Sequence, residues 1–219
     1  MENEQKKSFA EGICLKKIFW IFIFGCIFGC VFEMIIHFMK YDVWVSRRGL
    51  IYGPLNPVYG IGVALFTLCL CHLKKPTAIF IGGALIGGGF EWICSFVQEY
   101  AFGSISWDYS GHFLNFGGRT SLFYMLCWGV LAIVYVKLVY PFLSKWIEKI
   151  PIKIGNIVTI VLLVFIIIDV VISIAACYRQ YQREEGNQAD NAIEIFLDDH
   201  YPDERLDKIF ENKRYVDDK

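Results

Sequence analysis

The stretch Ile157-Val-Thr-Ile-Val-Leu-Leu-Val-Phe-Ile-Ile-Ile-Asp169-Val-Val-Ile-Ser-Ile-Ala-Ala176 runs for 20 residues with only Thr159, Asp169 and Ser173 as polar interruptions. At 1.5 Å per residue, an apolar helix of about that length matches the hydrocarbon core of a bilayer. Its apolar residues are continuous and not spaced at helical intervals, so this is no half-buried surface helix. Four further runs have the same character, at about 18–39, 55–73, 77–100 and 120–143. Backbone polar groups within a bilayer must be satisfied locally, so five such runs predict an all-α, polytopic membrane bundle with five transmembrane helices.

Composition agrees, with 56% of the 219 residues hydrophobic. The formal charge of −1 conceals an asymmetry. Residues 1–177 hold fourteen Lys and Arg against ten Asp and Glu, whereas residues 178–219 hold seven against twelve. The expected organisation is an N-terminal segment 1–17, a transmembrane domain 18–177 and an acidic, partly helical soluble tail 178–219. No basic stretch is dense enough to call for nucleic acid. Lys6, Lys7, Lys16 and Lys17 before the first run resemble a signal peptide, but that run is too long and lacks a small-residue cleavage pattern. The excess of Lys and Arg at the N-terminus, at Lys74 and Lys75, and from Lys137 to Lys153 predicts a cytoplasmic N-terminus and an external tail in a multi-pass cell-membrane protein. The eight cysteines lack zinc-ligand spacing and read as packing residues.

Against this apolar background two carboxylates stand out. Glu33 follows Gly29-Cys-Val-Phe and Glu91 follows Gly87-Gly-Gly-Phe, so each has a glycine one helical turn before it. Each is followed by an asparagine in a turn-rich segment, Asn56 and Asn115. An acidic or basic residue at the centre of a membrane helix costs roughly 2.5–3.5 kcal/mol on insertion scales, which makes it a functional candidate by default. Ala84, Gly88, Glu91, Ser95 and Gln98 share one face of the third run, a small-and-polar stripe suited to another helix or a wet cavity. The matching environments point to a degenerate parallel repeat of helix pairs one–two and three–four. Two loops fall on the same side. The first carries Arg47, Arg48, Pro54 and Pro57, and the second carries Asp108, His112, Asn115 and Arg119. Arg47 and Arg48 are the natural counter-charges of the two carboxylates, and for the cluster as a whole Arg48 and Arg119 are the expected ones. Asp108 before Ser110 equally fits a local Asx turn. His37, four residues after Glu33, and Asp169 with Ser173 are secondary candidates. In the tail, Ile193, Phe196 and Leu197, then Leu206, Ile209 and Phe210, form two short apolar stripes able to dock on the bundle, a partner or the membrane interface.

The segments Arg48-Gly-Leu-Ile-Tyr-Gly53-Pro54, Pro57-Val-Tyr59-Gly60-Ile-Gly62, Trp107-Asp-Tyr-Ser110 and Asn115 with Gly118, together with Glu33 and Glu91, resemble a bacterial ABC-transporter permease family, the type IV or CmpB-like group. The resemblance covers about residues 18–175 and excludes the acidic tail. It implies a transmembrane transport subunit working with a separate ATPase, and adds Tyr59 to a candidate polar cavity of Glu33, Arg48, Tyr59, Glu91, Asp108, Asn115 and Arg119. The chain itself has no G-x-x-x-x-G-K-[ST], no H-E-x-x-H and no G-x-S-x-G, so no ATPase or hydrolase motif is present. No cofactor or metal is expected. The expected partners are the lipid bilayer and an ATPase subunit or further copies of the chain. Two other readings stay open: a membrane-embedded enzyme on a lipid-linked substrate, with a carboxylate as general base and arginines on a phosphate, and a non-catalytic assembly factor.

Overall fold

Prolines and glycines set where each apolar run becomes a helix. The computed structural model describes residues 8–216; Lys6 and Lys7 of the charge count and residues 217–219 of the acidic tail lie outside the described residues. Helix α1 (Leu15–Tyr41) closes on Asp42 in the left-handed region, whose N–H donates to the Phe38 carbonyl at 2.8 Å. Helix α2 (Pro57–Leu70) starts on a proline, with the Asn56 side chain accepting the Val58 N–H at 3.1 Å. Helix α3 (Pro76–Phe102) also starts on a proline and ends at Gly103, where φ is 56°. Helix α4 (Leu122–Glu148) widens into a π turn at Tyr135–Val139. Pro141 comes two residues after it; it offers no N–H and its ring crowds the preceding turn, and the wider turn accommodates both effects. Helix α5 (Ile152–Glu184) begins after Pro151 and runs for 33 residues.

Four helices, α1, α3, α4 and α5, are long and apolar enough to cross a membrane. The second apolar run differs from its expected span. Its first part stays irregular through Pro54, and the helix that follows has 14 residues. At 1.5 Å per residue that is about 21 Å, short of the roughly 30 Å core. The several long apolar helices make this a multi-pass membrane protein.

Helices pack in two close pairs, α1 with α2 and α3 with α4. Asn56 N–H donates to the Cys26 carbonyl at 3.1 Å, so α2 begins beside the middle of α1 and not at its end. A Cβ on Gly60 would meet Cys26 Sγ at 2.4 Å, and one on Gly83 would meet the Ala132 Cβ at 2.2 Å. The glycines allow backbone approach that larger residues would block. Between the pairs, Phe9, Ile21, Phe66, Leu70, Ile79, Ala132 and Tyr135 form the main apolar core, with the Thr67 and Tyr135 hydroxyls 2.5 Å apart inside it.

The start of α1, the end of α4 and the start of α5 meet at one end of the bundle. Lys17 is buried there, ion-paired with Glu148 and donating to Ser144 Oγ at 2.7 Å. At the opposite end lie the second half of α1, the segments 42–56 and 103–121, and the tail. The tail forms helices α6 (Ala192–His200) and α7 (Asp203–Ile209), which pack back on α5. Arg179 holds Asp198 through two hydrogen bonds of 2.9 Å, and Arg183 reaches Asp198 and Asp203 at 2.5 Å each. Leu197, Tyr201, Leu206, Ile209 and Phe210 share an apolar cluster with Ile51 and Ala176. The docking choice left open by the two apolar stripes thus falls on the bundle for this face of the tail. A two-stranded antiparallel sheet finishes the attachment: β1 (Ser104–Ile105) pairs with β2 (Arg214–Tyr215), Ser104 opposite Tyr215.

Candidate functional site

Glu33 lies in the second half of α1, a turn beyond Gly29. The absence of a side chain at Gly29 makes room for Tyr59 of α2, whose ring carbons lie 2.2 Å from where a Cβ would be. Tyr59, seated there, donates its hydroxyl to Glu33 Oε2 at 2.7 Å. Arg47 supplies the counter-charge, with Nε 3.7 Å from Glu33 Oε1. That distance is an ion pair without a hydrogen bond, and Arg47 Nε is a buried donor with no acceptor. The Glu33 side chain keeps 32% of its exposure.

Glu91 is constructed on the same plan with different partners. Gly87, one turn before it, accommodates Trp128 of α4. Tyr109 donates to Glu91 Oε1 at 3.0 Å and Thr120 Oγ1 donates to Oε2 at 2.8 Å. Both oxygens are thus engaged, and the residue is 8% exposed. Burial first, then the Glu91 carboxylate, pushes the Tyr109 phenol above its ordinary range, which keeps it a neutral donor. Tyr109 stacks on Tyr124 with ring centroids 4.1 Å apart.

The two half-sites influence each other electrostatically. Tyr59 lies within electrostatic reach of Tyr109 and Glu91, and Tyr109 within reach of Glu33. Each carboxylate, on its own helix pair, thus accepts a hydrogen bond from its own tyrosine.

The remaining candidates are placed around it. Arg48 donates from Nε to Ser46 Oγ at 3.1 Å and lines a groove against α7. Arg119 pairs with Glu99 and lies over the rings of Trp92 and Phe96, at 5.7 and 5.4 Å. Asp108 closes an Asx turn, accepting the Ser110 N–H at 2.8 Å. Asn115 braces the same loop: its amide donates to the Ser110 and His112 carbonyls at 3.0 Å, and its oxygen accepts the Gly118 N–H at 3.0 Å. His37 Nδ1 donates to the Val43 carbonyl at 3.0 Å. Asp169 is buried and accepts the Tyr52 N–H at 3.1 Å, while its neighbour Ser173 accepts the Ile51 N–H at 2.9 Å. Of the seven residues expected to form the cavity, the structure joins Glu33 to Tyr59 by a hydrogen bond, gives Glu91 other partners, and distributes the remaining four around the loops.

Of the two neighbouring arginines expected as counter-charges, Arg47 and not Arg48 holds the position next to Glu33. Two contributors escaped sequence reading. Thr120 carries no spacing signal connecting it with Glu91, 29 residues earlier. Tyr109 reads as an interfacial aromatic until its hydroxyl is seen on Glu91. The segment 47–56 reaches the Cys26 and Asp169 levels of α1 and α5, irregular backbone sheltered by protein.

A family model described as "Putative ABC-transporter type IV" matches residues 20–174. No curated protein and no solved structure gives a significant match.

Proposed function

The chain belongs to that family, and on this premise we propose that it is the membrane-embedded subunit of a transport system whose ATP is hydrolysed by a separate chain. The single observation supporting this is the pair Glu33 and Glu91, carboxylates on separate helix pairs, each set one turn after a glycine and each receiving a tyrosine hydroxyl, from Tyr59 and from Tyr109. The two halves have different parts. Glu91, hydrogen-bonded through both oxygens, anchors α3 to the 103–121 loop. Glu33, partly exposed and loosely paired with Arg47, is the group that meets a polar or charged solute. Exchange of a solute for the Arg47 contact needs only a small movement, because no hydrogen bond joins the pair.

On this reading α2 completes a fifth crossing, with the irregular segment 42–56 making up the length its short helix lacks. The N-terminus is cytoplasmic and the tail external, as the basic bias implies. The two glycine–glutamate pairs are the remnant of a parallel repeat. Homo-oligomers and an ATPase are the candidate partners.

The experiment has two parts. Purification of a tagged chain from its own membrane in mild detergent should retain a P-loop ATPase. In cells lacking the native copy, Glu33→Gln should reproduce the small-molecule changes caused by deletion, with the protein folded and at normal abundance. A second reading is favoured by the fully satisfied Glu91: the polar residues merely lock helices together. An unaltered cell carrying folded Glu33→Gln, with no ATPase retained, would establish that reading instead.

A further inference from the structure

A groove of about 500 Å³, lined by neither glutamate, separates the segment after α1 from the tail helix α7. Its floor is apolar, made by Ile51, Pro202 and Ile209. Its rim carries Arg48, Arg205 and Lys208 against one acid, Glu204. This positive rim is unexpected within a tail that is acidic as a whole. Arg205 and Lys208 are three residues apart, on one side of α7. Neither Arg48 nor Lys208 makes an ion pair among the described residues; Arg48 spends only Nε, on Ser46. Arg205 donates from one nitrogen to the His200 carbonyl at 2.6 Å and lies over the Tyr201 ring. Three cations with unspent donors converge above an apolar floor.

The level of the groove identifies what meets it. Ile51 and Ile209 belong to the same apolar cluster as Ala176, the last residue of the long apolar run in α5. The groove therefore sits where that helix leaves the hydrocarbon. Exposed Tyr41 and Trp44 lie on the chain leading into it, residues suited to the headgroup level. We propose that this groove binds an anionic phospholipid, its headgroup phosphate between Arg48, Arg205 and Lys208 and the top of its acyl chain against Ile51 and Ile209. Such a lipid would clamp α7 to the segment 46–52, and with it the irregular backbone that leads to Arg47.

The test uses the whole protein in nanodiscs of phosphatidylcholine, with or without phosphatidylglycerol, read by native mass spectrometry of retained lipid and by hydrogen exchange of residues 203–216. Phosphatidylglycerol should be retained in preference and should slow exchange in the tail. Each of Arg48→Gln, Arg205→Gln and Lys208→Gln should weaken that retention about fivefold, the usual effect of one basic residue at an anionic surface. Lys149→Gln at the other end of the bundle should leave it unchanged. Arg205 and Lys208 are exposed, so their variants test the site even if Arg48→Gln loosens the loop. Equal retention of both lipids, or undiminished retention by Arg205→Gln and Lys208→Gln, would overturn the proposal. Inorganic phosphate added to phosphatidylcholine discs should not protect the tail; equal protection would overturn the lipid in favour of a free phosphate.

Discussion

Tyr59 donates its hydroxyl to Glu33 at 2.7 Å, and its ring fills the space left open by Gly29 one turn before the glutamate. The glycine and the glutamate are thus one device: the first admits the ring, and the second receives its hydroxyl. A Gly29→Ala substitution puts a Cβ 2.2 Å from Tyr59 Cγ, backed by α2. It should destabilise the protein by about 1–3 kcal/mol, the usual range for overpacking. Gly89→Ala is the control. Nothing lies within 4 Å of its Cβ position, and it sits inside α3. That variant should be neutral or up to about 1 kcal/mol more stable. Thermal unfolding in one detergent, followed by tryptophan fluorescence, separates the two outcomes.

Removing the Glu91 carboxylate should cost more than removing either donor. Glu91→Ala leaves the Tyr109 and Thr120 hydroxyls buried without their acceptor, and an unsatisfied buried group costs roughly 1–3 kcal/mol. Tyr109→Phe and Thr120→Val should each cost about 1 kcal/mol. A double-mutant cycle of Glu91→Ala with Tyr109→Phe measures the coupling. Additive effects would show that the hydrogen bond contributes nothing.

Acid should release the tail. Hydrogen bonds from Arg179, then from Arg183, hold the Asp198 carboxyl below its ordinary range. A carboxylate with a depressed folded pKa contributes stability that is complete above its unfolded value, about 3.9, and is lost as pH falls through the folded value. The tail should stay docked from neutral pH to about 4 and loosen below. Limited proteolysis between residues 185 and 216 across this range reads the transition. Asp198→Asn should loosen the tail at neutral pH while leaving the bundle folded.

Asp169 fastens the irregular segment to α5 through the Tyr52 N–H, with Ser173 taking the Ile51 N–H beside it. Asp169→Leu should therefore expose both amides, and hydrogen exchange at residues 51 and 52 should accelerate by an order of magnitude or more. Asp169→Asn keeps an acceptor oxygen and should accelerate it less. Equal exchange in the wild type and Asp169→Leu would show that this contact does not hold the segment.

The sequence by itself determined the class of the protein and the rank of its residues. Apolar run length is a local property, so the long helices around 18–39, 77–100, 120–143 and 155–177 were legible without any contact. The glycine one turn before each glutamate was equally legible, because helical spacing places them on one face. Only the tertiary structure decided the partners. Tyr59 and Glu33 are 26 residues apart, Tyr52 and Asp169 are 117 apart, and Ser46 and Ile209 are 163 apart. No periodicity connects such positions. Arg47 and Arg48 are neighbours of equal charge, yet Arg47 faces Glu33 and Arg48 faces the tail groove. That choice depends on the direction of a backbone held by Pro54, Asn56 and Asp169, which packing against α1 and α5 supplies. The shortness of α2 has the same origin: the apolar run continues, but its first part folds as irregular backbone that α1 and α5 shelter.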